Sequence, residues 1–211
     1  MSSCATSPGE TPSFTDIRNR GHAYFGKQPC HWQIQVTEAF LKCHDIICMA
    51  GTRMGKTLSF WLPLLFQPSG IQIVVTPLNQ LDQQNAIGDL KYCVVIVNPE
   101  QLMKLGGEFE KLLTKPEFAS QNLGFVFDKA HCIASWGEFH PEYKELQCLW
   151  HILPCCVPFI ITSATLTPET LAEVKKLLHM GSNNLLTIHA STNHPNIQLC
   201  SENQIHTVDL C

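Results

Sequence analysis

An α/β domain of three layers around a mostly parallel sheet is what this 211-residue sequence predicts, on three observations. Short, almost continuously apolar runs alternate with helix-like segments, as they do where strands are buried on both faces. One such run leads straight into a glycine-bearing loop and the string Gly55-Lys56-Thr57, and another ends on the aspartate Asp128.

Taken in order, the N-terminal "MSSCATSPGETPSFTD" is rich in Ser, Thr and Pro, and residues 1–20 read as a disordered tail. It shows no basic segment followed by an apolar one, so it does not read as a secretory signal. The domain itself is expected over residues 21–190. Its strands are expected at Asp45–Ala50, Ile71–Thr76, Cys93–Asn98, Leu123–Asp128, Pro158–Thr165 and, with a weaker pattern, Leu185–His189. Helices are expected at Gly55–Phe66, Leu78–Ala86, Pro99–Lys104, Pro141–Leu153 and Pro168–Met180. The last opens "TPET", with Thr167 as N-cap and Pro168 at the first helical position. Residues 191–211 lose the pattern and read as a truncated linker or tail.

Composition narrows the function classes. No run of 18 apolar residues occurs, so no membrane-spanning helix and no membrane partner are expected. The 11 cysteines are odd in number, scattered and without a C-x-x-C pair, which suggests free thiols in a reducing, intracellular compartment. A zinc site from Cys132, Cys155, Cys156 and stray histidines is the weaker alternative. The formal net charge of −4 argues against a strong, non-specific grip on nucleic acid through phosphate contacts alone.

The stretch "AGTRMGKT" (residues 50–57) has the chemistry of a phosphate-binding loop. Backbone N–H groups of Thr52, Arg53, Met54, Gly55 and Lys56 would face phosphate oxygens, the Lys56 ammonium would neutralise them, and the Thr57 hydroxyl would ligate Mg²⁺. Arg53 departs from the glycine usual there. If the backbone needs a positive φ at this position, a side chain costs on the order of 1–2 kcal/mol. Asp128 closes the buried run "FVFD" and is placed to hold the same Mg²⁺, because ligands of open α/β sheets lie at the carboxyl ends of strands.

These motifs, with several others in the same order, resemble the first RecA-like, P-loop NTPase domain of superfamily 2 helicases, specifically the RecQ family of ATP-dependent 3′–5′ DNA helicases. The resemblance runs from about Phe25 to Ile197. "FGKQPCHWQ" (25–33) is similar to the family's adenine-recognition motif, which puts Gln33 in the base-reading position. "VVTPLNQLDQQ" (74–84) and "VVIVNPEQL" (94–102) resemble strands that end near a DNA backbone, and imply Thr76, Pro77, Asn98 and Pro99 as nucleic-acid contacts. "DKAH" (128–131) stands where the family has D-E-A-H, and implies Asp128 and His131 in the ATP machinery. "SWGEFHPEY" (135–143) resembles the aromatic-rich loop that couples single-stranded DNA to ATP, and implies Trp136, Phe139 and His140. "TSAT" (162–165) ends the next strand at the same edge, and "HPNI" (194–197) is similar to the family's R-P-N-I.

The departures bear on activity. Lys129 replaces the glutamate that in the family orients and deprotonates the attacking water, and an ammonium cannot be that base. General-base catalysis is typically worth 10²–10⁴-fold. His140 and His194 stand where arginines are usual. Only six residues lie between Ala86 and Cys93, where the family has a further strand and helix. Cys30 and Lys27 take the place of the family's adenine-flanking aromatic and arginine, with Trp32 beside them. The 211 residues include no second RecA-like domain, the family's source of an arginine finger. Gly to Arg, Glu to Lys and Arg to His (twice) can each arise from a single G-to-A codon change, the mark of a decaying gene copy.

The resemblance therefore implies a nucleotide- and nucleic-acid-binding helicase domain using ATP and Mg²⁺, weak on single-stranded or partly duplex DNA, impaired in hydrolysis and without autonomous unwinding. The alternatives are a non-catalytic pseudo-helicase module that engages DNA or a full-length helicase partner, and a fragment of a longer helicase. Nuclear localisation is an expectation from family role alone.

Overall fold

The computed structural model describes residues 11–77, 93–104, 106–132, 146, 149, 153, 157–181 and 184–190. The expected helices Leu78–Ala86 and Pro141–Leu153 fall wholly or largely outside these residues, as do Trp136, Phe139, His140, Cys155, Cys156 and the segment 191–211.

The chain first turns regular earlier than its composition suggests. Helix α1 spans Phe14–Phe25, so residues 14–20 of the expected tail are helical. Ser13 is the reason. Its hydroxyl accepts from the Asp16 N–H (3.2 Å) and its own N–H donates to the Asp16 carboxylate (3.0 Å), a reciprocal cap. The helix also buries Ile17 and packs at Gly21, where a β-carbon would lie 2.6 Å from Pro29 and 2.7 Å from Leu62. Helix α2 (His31–Leu41) follows and buries Ile34, Val36, Thr37 and Phe40.

Six strands form one sheet in the order β3-β2-β4-β5-β1-β6. They are β1 (Asp45–Met49), β2 (Ile71–Val75), β3 (Cys93–Val97), β4 (Asn122–Asp128), β5 (Phe159–Ser163) and β6 (Leu185–His189). All five neighbouring pairs are parallel, with Ile46 opposite Ile160 and Ile73 opposite both Val95 and Phe125. Every expected strand forms, within two residues at either end.

Alternation of side chains divides the core into two sheets of packing. Ile46, Cys48, Val74, Val126 and Ile160 point to one face with Val36, Ala39 and Phe40 of α2 and Phe60 of α3 (Lys56–Trp61). Ile47, Met49, Ile73, Phe125, Phe127 and Ile161 point to the other with Leu102, Leu113 and Val174. Those three belong to α4 (Pro99–Leu102), α5 (Glu108–Leu113) and α7 (Pro168–Leu177). Helix α6 (Pro116–Gln121) leads into β4. The three layers are thus as expected.

The helix expected over Gly55–Phe66 is instead two pieces, α3 and a 3₁₀ turn at Pro63–Leu65. Pro63 has no N–H to continue the α ladder and its ring crowds the preceding turn. Helix α4 stops at Leu102, two residues short of expectation, and α5 and α6 had no counterpart in the sequence reading. Helix α7 ends at Leu177 because His179 turns left-handed (φ 51°), letting the Met180 N–H reach the Lys175 carbonyl (3.0 Å). Among the described residues no helix is long and apolar enough to cross a membrane.

Candidate nucleotide and nucleic-acid site

Because all strands are parallel, their carboxyl ends share one edge, and β1, β2, β3, β4 and β5 deliver the motif residues there. Strand β1 runs into the loop 50–55. Gly51 is buried, whereas Thr52, Arg53, Gly55 and Thr57 are exposed. The loop's curvature needs two left-handed residues, Arg53 (φ 62°) and Gly55 (φ 77°). Glycine takes that conformation without cost, but an arginine carries strain of about 1–2 kcal/mol. The positive φ considered for position 53 is therefore real.

The loop is braced from two sides. The Lys56 ammonium donates to the carbonyls of Ala50 (3.0 Å) and Gly51 (2.9 Å), closing the loop on itself. Gln33, almost fully buried, donates from Nε2 to the Gly55 carbonyl (2.9 Å) and accepts the Cys30 N–H at Oε1 (2.7 Å). Gln33 thus ties the start of α2 to the phosphate loop, 22 residues away. Gly55 has a second reason to be glycine, since a β-carbon there would sit 2.9 Å from Gln33 Nε2. Trp32, Met54 and Trp61 pack against the core cluster on this face, which assigns the Trp32 ring to packing.

Asp128 ends β4 opposite Thr162 of β5. Burial raises its pKa, opposed by a hydrogen bond from the Lys129 backbone N–H and by the fields of Lys129, Lys56 and His131. Lys129 turns the chain left-handed (φ 56°), and the Ala130 N–H then donates to the Thr162 carbonyl (3.0 Å). Lys129 does not close an ion pair with Asp128 as Lys42 does with Glu38. Asp128 and Lys129 also line a small cavity with Val75, Thr76, Pro77, Pro99 and Phe127.

His131 reaches the neighbouring strand. Its Nδ1 lies 2.8 Å from the Ser163 hydroxyl, which itself donates to the Thr165 carbonyl (3.1 Å) and accepts the Thr165 N–H (3.2 Å). Ser163 and Thr165 thus join the site; "TSAT" marked the place, but no role could be read for either side chain before His131 was seen to meet it.

No protein-family model matches the chain. It is 30% identical over 205 residues to the probable ATP-dependent DNA helicase RecS of Bacillus subtilis, covering 84% of this chain and 39% of that protein. It is 28% identical over 193 residues to the ATP-dependent DNA helicase RecQ of Haemophilus influenzae, covering 81% of this chain and 30% of that protein. With the ATP-dependent DNA helicase Q1 of Rattus norvegicus it shares 29% over 196 residues, covering 78% of this chain and 31% of that protein. Over about four fifths of its length this chain is similar to RecQ-like helicases. It spans 30–39% of the length of these three relatives. The crystal structure of the DUF1998 helicase MrfA bound to DNA has the same fold, with a TM-score of 0.61 and 16% identity over 88% of this chain and 28% of that one.

On this RecQ-like edge the expected nucleic-acid residues fall into two groups. Thr76, Pro77 and Pro99 meet Asp128 and Lys129 around the shared cavity, so the ends of β2, β3 and β4 are brought together. Thr76 is buried, its N–H donates to the Val97 carbonyl (3.0 Å), and its hydroxyl has no partner among the described residues. Asn98 caps α4, accepting the Gln101 N–H at 2.7 Å. Trp136, Phe139 and His140 lie outside the described residues.

The RecQ-like resemblance implies Mg²⁺ between Thr57 and Asp128, and the residues present fit it poorly. One hydroxyl and one carboxylate are the usual protein share of a nucleotide-bound Mg²⁺; what sets this pair apart is the like charge of Lys129 beside Asp128. Among the described residues no group of three or more His, Cys, Asp or Glu side chains is placed to hold a metal.

Proposed function

We propose that this chain is a nucleotide- and nucleic-acid-binding RecQ-like domain that binds ATP at the 51–57 loop without turning it over at an appreciable rate. The observation that carries the reading is the convergence at one sheet edge of the Lys56 loop, Gln33, Asp128 and the His131–Ser163 contact, with Lys129 in the acid's position. Lys56, Thr57 and Gln33 are retained, while Cys30 and Lys27 stand where the family has its adenine-flanking groups. The group that would take a proton from water is an ammonium, and lacking a base removes about 10²–10⁴-fold of rate.

DNA is the polymer this edge suits, since the matched relatives are DNA helicases, and the contacts would come from Thr76, Pro77, Asn98 and Pro99 with Trp136, Phe139 and His140. The same departures, Arg53 and Lys129, favour a second reading, a non-catalytic module that holds DNA or a full-length helicase partner in the nucleus. The test is titration with a fluorescent ATP analogue. Binding by wild type that is lost in Lys56→Ala supports the reading, and equal binding by both proteins rejects it.

A further inference from the structure

We infer that this site takes the nucleoside triphosphate as the free anion, without a divalent cation, with the Lys129 ammonium standing where the metal's charge would be needed. The inference rests on the nucleotide reading above and specifies the ionic form of its ligand.

Charge at short range decides the form of the ligand. A triphosphate brings about four negative charges near neutral pH, and protein sites neutralise them with cationic side chains, with a metal, or with both. Here the loop carries Lys56 and the exposed Arg53, and Lys129 follows Asp128 directly. Against these three cations stands Asp128, whose carboxylate already feels both Lys56 and Lys129. Summed over these four side chains the formal charge is +2, before any metal arrives.

A dication entering beside Asp128 would meet Lys129 as a like charge. At about 4–6 Å such a pair repels appreciably even with partial screening. The triphosphate gains from the same lysine. The Lys129 ammonium closes no ion pair with Asp128, and the bond to that carboxylate comes from the Lys129 backbone N–H instead. The side chain is thereby left to a ligand's oxygens. Its backbone is committed as well: the left-handed turn at Lys129 is held by the Ala130–Thr162 and Cys132–Lys129 hydrogen bonds (3.0 and 2.9 Å). These bonds hold the backbone that carries the cation at the end of β4.

The experiment titrates a fluorescent ATP analogue into the 211-residue chain in excess Mg²⁺ and again in EDTA, for wild type, Lys129→Glu and Lys129→Gln, with circular dichroism confirming that each variant is folded. Wild type should bind at least as tightly in EDTA as in Mg²⁺. Lys129→Glu should lose about tenfold or more in EDTA, the effect of one charge reversal at this range, and regain it in Mg²⁺. Lys129→Gln should lie between. Wild-type binding that vanishes in EDTA and returns with Mg²⁺ overturns this inference and leaves the nucleotide reading intact. Absence of binding in both conditions overturns the nucleotide reading itself. If Lys129→Glu binds like wild type in both, Lys129 has no part in the site and the inference fails.

Discussion

Arg53 and Lys129 are both left-handed (φ 62° and 56°), and both stand where the site meets its ligand. Strain at such positions persists only because the surroundings hold it. For Arg53 the surroundings are the Lys56 bonds to Ala50 and Gly51 and the Gln33 bond to Gly55. Arg53→Gly should therefore stabilise the fold. Relief of about 1–2 kcal/mol is set against the greater unfolded-state entropy of glycine, about 0.4–1 kcal/mol. The net gain should be on the order of 1 kcal/mol, or about 2–4 °C in melting temperature for a domain of this size. A melting curve shows it, and a fall in the midpoint would mean that the guanidinium contributes more than the strain costs.

Helix α1 and the start of the β1–β5 pairing each carry one polar side-chain contact. Ser13→Ala removes the hydroxyl half of the cap on α1, leaving the backbone N–H to the Asp16 carboxylate, and should cost about 1 kcal/mol, seen as a melting point lower by about 2–4 °C. An unchanged midpoint would show that α1 frays without consequence for the rest. Asp45 acts in the opposite direction. Its Oδ1 accepts the Phe159 N–H (2.9 Å) and so ties the start of β5 to β1, but burial raises its pKa above the usual 3.8. A raised value means that the fold favours the protonated form. The stability this contributes is complete below pH 3.8 and is lost as pH rises through the folded value. Asp45→Asn keeps the acceptor and removes the charge. It should raise the melting point at pH 7 by on the order of 2–4 °C, with the gain shrinking toward pH 4. A gain of equal size at both pH values would place its origin outside titration.

The whole chain has a formal net charge of −4, and three of its 14 lysines and arginines, Arg53, Lys56 and Lys129, stand at the nucleotide edge. Affinity for single-stranded DNA should then be weak and steeply salt-dependent, because neutralised phosphates release counterions on binding. Fluorescence anisotropy with a labelled single strand tests this; micromolar binding that survives ~0.5 M salt would contradict it. Phosphate release from ATP with single-stranded DNA present should stay at background, for want of a base beside the attacking water. Turnover near 1 s⁻¹, at the low end of ordinary enzyme rates, that disappears in Lys56→Ala would overturn the reading of Lys129.

Much of this was legible in the chain itself. A strand buried on both faces writes its own signature, because nearly every position must be apolar, and so β1, β2, β4 and β5 could be found from their apolar runs, whereas β6, largely exposed, showed only a weaker pattern. Gly55-Lys56-Thr57 and Asp128 could be assigned to one edge because parallel strands share a carboxyl end. The short helices α5 and α6 could not be found, each spanning six residues and too brief for a 3.6-residue period to show. The α1 cap was hidden in a Ser- and Thr-rich run whose composition suggests disorder. The break at Pro63 was written in the sequence and was masked by the apolar residues around it. What only the tertiary structure decided is how distant residues meet. The sign of φ at Arg53 follows from the path between β1 and α3, the bond of Gln33 to Gly55 from the packing of α2 on α3, and that of His131 to Ser163 from β4 lying beside β5. None of these is local, and a sequence records which groups are present without recording which of them folding will bring within 3 Å, about the reach of a hydrogen bond.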